Sequence, residues 1–132
     1  FGNVSTQRRT GALVGNSGFN FFPRSGSWGV SLTRERFSIR GNWNYRSARQ
    51  GAAVAGAGLP TDNFTWVPRR ITLDAQAEYT LGKRYAVFAS MRNLTAEPEE
   101  TQIYNALTPA AARFRNQVDY GSLWTIGIKG TF

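Results

Sequence analysis

Cysteine and histidine are both missing from the 132-residue chain, and methionine occurs once, at Met91. Without a thiol or an imidazole the chain holds no disulfide, no Cys- or His-based metal centre, and no Ser-His or Cys-His nucleophile pair. Most hydrolytic chemistry is thereby removed, and the reading is of a non-enzymatic chain with no catalytic, cofactor-binding or metal-binding residues. Acids are scarce as well: 8 Asp+Glu face 16 Lys+Arg, a formal net charge of +8. No apolar run reaches the roughly 20 residues that a membrane helix requires, since the longest weakly polar stretch, GAAVAGAGLP at 51–60, is short and rich in glycine. A chain that starts on Phe1 shows neither an initiator nor a signal peptide, so a mature product or, preferably, the C-terminal piece of a longer chain is expected.

What is present is aromatic and periodic. With 4 Trp, 5 Tyr and 9 Phe, and 41% hydrophobic residues, the chain is not disordered. In residues 69–81, Ile71, Leu73, Ala75, Ala77, Tyr79 and Leu81 alternate with Thr72, Asp74, Gln76, Glu78 and Thr80. In 36–47, Phe37, Ile39, Gly41, Trp43 and Tyr45 alternate with Ser38, Arg40, Asn42, Asn44 and Arg46. Segments 25–33, 84–95 and 120–132 repeat the pattern, the last with Trp124, Ile126, Ile128, Gly130 and Phe132 on one face. Successive side chains of a strand point to opposite faces, so each segment reads as a strand with a greasy and a polar side.

The connections also fall into two kinds. Tight turns are expected at 34–35 and 82–83, whereas 1–23, 48–68 and 96–119 read as long loops, with the tip of a strand at Phe1 and a short helical piece within 105–114. Strands of about 12 residues, rising about 3.3 Å per residue at a tilt near 45°, cover about 28 Å, the height of a membrane barrel's apolar band. The expected fold is therefore all-β: an antiparallel transmembrane β-barrel to which this chain contributes five strands, near 25–33, 36–47, 69–81, 84–95 and 120–132. A soluble antiparallel sandwich is the competing architecture. It is disfavoured because Trp, Tyr and Phe gather near strand ends on the greasy face while both tight turns carry charge.

Strand parity makes one register testable. Tyr79 and Val87 must share a face, which requires a three-residue loop, Gly82-Lys83-Arg84, and pairs Ala77 with Ala89 and Ala75 with Met91. The same register sets Asp74 opposite Arg92, and an ion pair between them is expected.

The stretches PRSGSWGVSLTRERFSIRGNWNYRS (23–47), VPRRITLDAQAEYTLGKRYAVFASMRNLTAEPE (67–99) and YGSLWTIGIKGTF (120–132), in that order, resemble the last five strands of a TonB-dependent receptor. These are the energised outer-membrane importers of Gram-negative bacteria. The resemblance implies residence in the bacterial outer membrane and a part in uptake of a scarce nutrient such as a siderophore, cobalamin or an oligosaccharide. It further implies that Trp124, Ile126, Ile128 and Phe132 form the signal read by the barrel-assembly machinery, although Gly130 stands where a large hydrophobe is usual. The implied partners are the remainder of the barrel and its plug, the TonB complex through a missing N-terminal part, and lipopolysaccharide and lipid. Loops 1–23, 48–68 and 96–119 would be extracellular, and the plug domain is not in this chain.

On that reading Arg40, Asn42, Asn44, Arg46, Asp74, Gln76, Glu78, Ser90, Arg92 and Lys129 face the lumen. Phe64, Trp66, Tyr104, Arg113, Phe114 and Arg115 are the candidates for ligand contact in the loops. Arg34, Arg36, Lys83 and Arg84 lie at the short turns, while Arg8, Arg9, Arg46, Arg49, Arg113 and Arg115 lie on or beside the long loops, placed to pair with lipopolysaccharide phosphates. Two other functions compete: a basic, soluble β-sheet module that binds nucleic acid, and the barrel of an outer-membrane protein without TonB coupling. A nucleic-acid module needs cations and aromatics on one exposed face, whereas Phe37, Trp43 and Tyr45 oppose Arg40 and Arg46. No nucleic-acid partner is therefore expected.

Overall fold

A computed structural model describes residues 1–6, 23–56 and 62–130 of the chain. The expectations on Phe132, Arg8 and Arg9 lie outside the described residues. Ten strands are present among the described residues: β1 (Gly2–Thr6), β2 (Arg24–Thr33), β3 (Phe37–Arg46), β4 (Arg49–Ala53), β5 (Phe64–Val67), β6 (Arg70–Thr80), β7 (Tyr85–Arg92), β8 (Glu99–Tyr104), β9 (Phe114–Val118) and β10 (Leu123–Gly130). All pairings are antiparallel, so the class is all-β. The one described helical element is a 3-10 turn, Ala110–Ala112, inside the segment where a short helical piece is expected.

The strands form a six-stranded sheet, in the order β1-β2-β3-β6-β7-β10, and a four-stranded sheet, β4-β5-β8-β9. Neither sheet closes on itself; β1 and β10 are the free edges of the larger one. In it the alternation seen in the sequence becomes a segregation of faces. Trp28 pairs with Trp43 and Trp43 with Leu73, Ile39 with Ala77 and Ala77 with Ala89, Ala89 with Ile126 and Val87 with Ile128. The other face carries Ser27 beside Asn44, Asn42 beside Asp74, and Gln76 beside Ser90.

Among the described residues no layer covers the apolar face. The strands contact their sheet neighbours, with no second sheet packed face to face on them. Val30, Ile126 and Ile128 are 65%, 73% and 72% exposed, and among the described residues only Ala86 is a buried apolar residue, at 6%. Ala86 itself lies on the polar face, beside Thr80 and Lys129.

The β6–β7 hairpin has the expected register, with Tyr79 opposite Val87, Ala77 opposite Ala89 and Ala75 opposite Met91. The Leu81 N–H donates to Tyr85 O at 2.9 Å, which leaves Gly82, Lys83 and Arg84 as the loop. Between β2 and β3 the Arg34 N–H donates to Phe37 O at 2.8 Å, so that turn is tight too.

The loops depart from expectation. Residues 2–6 form β1 against β2, and segments 48–68 and 96–119 each contain a pair of strands instead of an irregular excursion. The order β4-β5-β8-β9 repeats that of β3-β6-β7-β10, because each short strand continues a long one across a break at 47–48, 68–69, 93–98 or 119–122. The breaks also trim the predicted strands. β7 stops at Arg92 because Asn93 (φ 51°) and Ala96 (φ 50°) adopt left-handed backbone, and Gly121 (φ 60°) precedes the start of β10 at Leu123. The short strands escape a periodicity search for a local reason. They hold four to six residues, such as RQGAA and FTWV, and register shifts between Gln50 and Ala53 and between Thr101 and Gln102 spoil the alternation.

Candidate functional site

The polar face of the six-stranded sheet gathers the side chains expected to share it. Pairings of Arg40 with Gln76, Asn42 with Asp74, Asn44 with Thr72, Gln76 with Ser90 and Leu123 with Arg92 place Arg40, Asn42, Asn44, Asp74, Gln76, Ser90 and Arg92 on one side. Arg46, Glu78 and Lys129 join them through Arg70, Phe88 and Ala86. A concavity of about 570 Å³ lies over β1, β2, β3 and β6, with Asn3, Ser25, Asn44, Arg46, Thr72 and Asp74 in its lining. A second, of about 370 Å³, is lined by Arg40, Asn42, Gln76, Ser90 and Arg92 and shares Asp74 with the first. Hydroxyls, carboxamides and guanidinium groups dominate, a lining suited to hydrated or hydroxyl-rich solutes.

Asp74 is the junction of this face, and its partners differ from the expected one. Its Oδ2 accepts from Asn44 Nδ2 at 3.2 Å and its Oδ1 from the Asn93 backbone N–H at 3.0 Å, while Asn42 Nδ2 donates to Asn44 Oδ1 at 3.2 Å. The predicted Asp74–Arg92 ion pair is absent; the two ion pairs among the described residues are Arg70–Glu99 and Lys129–Glu78. Both carboxylate oxygens are engaged by other donors, Oδ2 by Asn44 and Oδ1 by the Asn93 N–H, at the point where the left-handed Asn93 ends β7.

Asn93 itself was not among the sequence-derived site residues. Its Nδ2 donates to Glu97 O at 3.1 Å and Gly121 O at 2.9 Å, and its Oδ1 accepts from the Glu97 N–H at 3.1 Å. One side chain thus ties the β7–β8 break to the β9–β10 break. Asn tolerates left-handed backbone better than most residues and carries both donor and acceptor, so this residue type suits the position. The Arg-Asn-Leu segment at 92–94, part of the family resemblance, held a signal for it.

Charge is balanced locally elsewhere on the face. Arg46 and Arg70 stand directly opposite one another, an unfavourable cross-strand pair. Arg70 offsets this by donating to Glu97 O at 2.9 Å and reaching Glu99 at 4.0 Å. Lys129 Nζ meets Glu78 Oε2 at 2.6 Å across the width of β7, above Ala86. Aromatic rings fill the glycine gaps: Phe88 lies on Gly127 and Phe1 on Gly29, with the Arg40 guanidinium 4.8 Å from the Phe1 ring centre.

The loop candidates are brought together in the four-stranded sheet. Trp66 and Tyr104 stack with centroids 5.0 Å apart and planes 12° from parallel. The Arg113 guanidinium lies 4.5 Å from the Tyr104 ring centre, and its Nε donates to Thr108 O at 3.1 Å. Phe64 pairs with Tyr104, and Phe114 with Gln102, so both border the stack. Arg115 makes no such contact: it is exposed on β9, with no side-chain hydrogen bond, ion pair or ring contact among the described residues. Asn105, 8% exposed, fastens the turn after β8, accepting from the Leu107 N–H at 2.9 Å and donating to Asp62 Oδ1 at 3.3 Å.

Trp124, Ile126 and Ile128 lie on the exposed apolar face of β10, away from both groups. No helix among the described residues is long and apolar enough to cross a membrane, which says nothing of strands. Among the described residues no group of three Cys, His, Asp or Glu side chains is placed to hold a metal. No protein-family model, no curated protein and no solved structure matches the chain.

Proposed function

We propose that the chain is the C-terminal wall segment of a TonB-dependent outer-membrane importer that takes up a scarce nutrient. The six-stranded sheet is a stretch of barrel wall, its apolar face against lipid and its polar face lining the lumen. The β4–β5 and β8–β9 hairpins rise as extracellular loops, with Phe64, Trp66, Tyr104, Arg113, Phe114 and Arg115 near arriving solute. β10 closes the wall, and Trp124, Ile126, Ile128 and Phe132 serve as the assembly signal. The rest of the barrel, the plug, the TonB complex, the assembly machinery and lipopolysaccharide are the partners of this reading.

The observation that carries it is the uncovered apolar face. The five long strands, about 4.8 Å apart and about 30 Å long, present on the order of 700 Å² of surface on this face, more than soluble monomers usually leave apolar to water. The long strands hold 8 to 11 described residues, against the roughly 9 to 11 that cross a bilayer at a barrel's tilt. A soluble sandwich would bury that face under a second sheet. A nucleic-acid module would mix its cations with its aromatics on one surface.

The absence of native cysteine makes a direct test simple. Single cysteines at Val30, Ile126 and Ile128, and in turn at Ser31, Gln76 and Thr125, are spin-labelled in the chain reconstituted in neutral phospholipid. Collision with oxygen, which concentrates in lipid, is expected to dominate at the first set, and collision with a water-soluble nickel chelate at the second. Equal access of the chelate to both sets refutes membrane residence.

A further inference from the structure

The short-turn edge of the six-stranded sheet is charged in one sense. The β2–β3 turn carries Arg34, Glu35 and Arg36, and the β6–β7 loop carries Lys83 and Arg84, all exposed. The two turns are neighbours, since the Thr80 N–H donates to Arg36 O at 2.7 Å. In these two turns four cations therefore stand with a single carboxylate, Glu35. None of the four basic side chains has a hydrogen-bond, ion-pair or ring partner among the described residues. The other end of the sheet differs in pairing and not in sign: residues 1–24, 46–70 and 93–122 contain nine arginines and five acids, and Arg70 and Arg113 are engaged there.

The apolar face changes character beneath these cations. Phe37 pairs with Tyr79, and Tyr85 follows Arg84 directly; Tyr79 and Tyr85 are 47% and 52% exposed. An amphipathic ring with a polar tip, set between aliphatic surface and charge, suits the boundary between hydrocarbon and headgroup. Guanidinium groups bind phosphate oxygens in a two-pronged fashion, and an ammonium binds them as a point charge.

We propose that this edge docks anionic phospholipid headgroups. Their phosphates are held by Arg34, Arg36, Lys83 and Arg84, and Phe37, Tyr79 and Tyr85 sit at the level of the acyl ester groups. The inference rests on the membrane reading above and adds to it a lipid class and a side, the short-turn side. Charge complementarity selects this occupant: the edge has net positive charge that no group among the described residues neutralises.

The test uses the 132-residue chain with vesicles of neutral phosphatidylcholine and vesicles in which part of it is replaced by phosphatidylglycerol, with flotation measured at about 0.05 M and about 0.5 M salt. Phosphatidylglycerol is expected to raise partitioning at least about tenfold at low salt, and high salt to abolish most of the gain. Arg34→Gln with Lys83→Gln is expected to cut the gain roughly fivefold per cation removed. Arg24→Gln with Arg69→Gln removes the same charge from exposed positions at the far end and is expected to leave the gain unchanged. Far-UV circular dichroism checks that each variant keeps its strands. Binding to neutral vesicles without any phosphatidylglycerol preference, or equal losses from both pairs of substitutions, overturns this proposal and leaves the membrane reading standing. Failure to bind either vesicle overturns the membrane reading, and this proposal with it.

Discussion

Gly127 and Phe88 form a contact whose energetics can be worked from the coordinates. The two residues pair across β10 and β7, and a Cβ placed on Gly127 would lie 2.6 Å from Phe88 Cζ and 2.8 Å from Cε1. Carbon atoms are comfortable at about 3.5–4.0 Å, so Gly127→Ala forces the ring to retreat by about 1 Å. Retreat is constrained, because on the far side Phe88 pairs with Glu78, which is held by Lys129 at 2.6 Å. Overpacking of this kind costs about 1–3 kcal/mol. Phe88→Ala alone removes a half-buried ring, at about 1–2 kcal/mol. In the double variant the clash has no second partner, and the added methyl restricts the unfolded chain, worth about 0.4–1 kcal/mol. The double variant is therefore expected to be no less stable than Phe88→Ala, with a coupling of at least about 1 kcal/mol in favour of the pair. The measurement is urea unfolding by circular dichroism, with every variant in the same detergent. Additive losses, within about 0.5 kcal/mol, would show that the ring does not rest on Gly127 and refute the reasoning.

Gly29 should behave differently, since an added Cβ meets the Gly41 carbonyl oxygen at 2.7 Å, which is backbone; Gly29→Ala is expected to destabilise, and Phe1→Ala not to rescue it. Gly82→Ala, with nothing within 4 Å of the new methyl, is the neutral control in the same unfolding series. Asn93→Ala removes three side-chain hydrogen bonds, each worth about 0.5–1.5 kcal/mol, from a residue with φ 51°. Asn93→Gly, which relieves the backbone and loses the same bonds, should fall between wild type and Asn93→Ala, and faster amide exchange at Glu97 in both variants would confirm the loss. Breaking Lys129–Glu78 by Lys129→Gln should cost no more than about 1 kcal/mol, with the difference shrinking as salt is raised; a larger, salt-independent loss would contradict an exposed ion pair. Ile128→Lys should lower stability in bilayers by about 1–4 kcal/mol, depending on depth, and have far less effect when the lysine replaces Thr125 on the opposite face.

The aromatic clusters illustrate how local and distant information combine. Trp66, Tyr104 and Arg113 were singled out from sequence as loop residues with binding potential, and they assemble into one stack. Their assembly depends on β5 pairing with β8, residues some forty positions apart along the chain. No short-range pattern encodes that pairing. Phe1 over Gly29 and Phe88 over Gly127 share the same logic, since each ring fills a gap left by a glycine on a different strand.

Alternation along the chain was enough to determine the all-β class, the approximate positions of β2, β3, β6, β7 and β10, and the side of the sheet each of their residues takes. A strand's side-chain period of two is a local property, and these strands are long enough to display it several times. Parity excluded half of the β6–β7 registers, because any one-residue slip would have put Tyr79 and Val87 on opposite faces, and the shortness of the turn at Gly82-Lys83-Arg84 chose among the rest. Tertiary structure decided what hangs on pairing between distant segments or on a single backbone angle. The short strands of the four-stranded sheet exist because the long ones deliver their ends side by side. Asp74 bonds to Asn44 and to the Asn93 N–H instead of Arg92, partners brought to it by β3 and by the chain leaving β7. A face is inherited from the residue's own position, whereas a partner depends on where the rest of the chain has been brought.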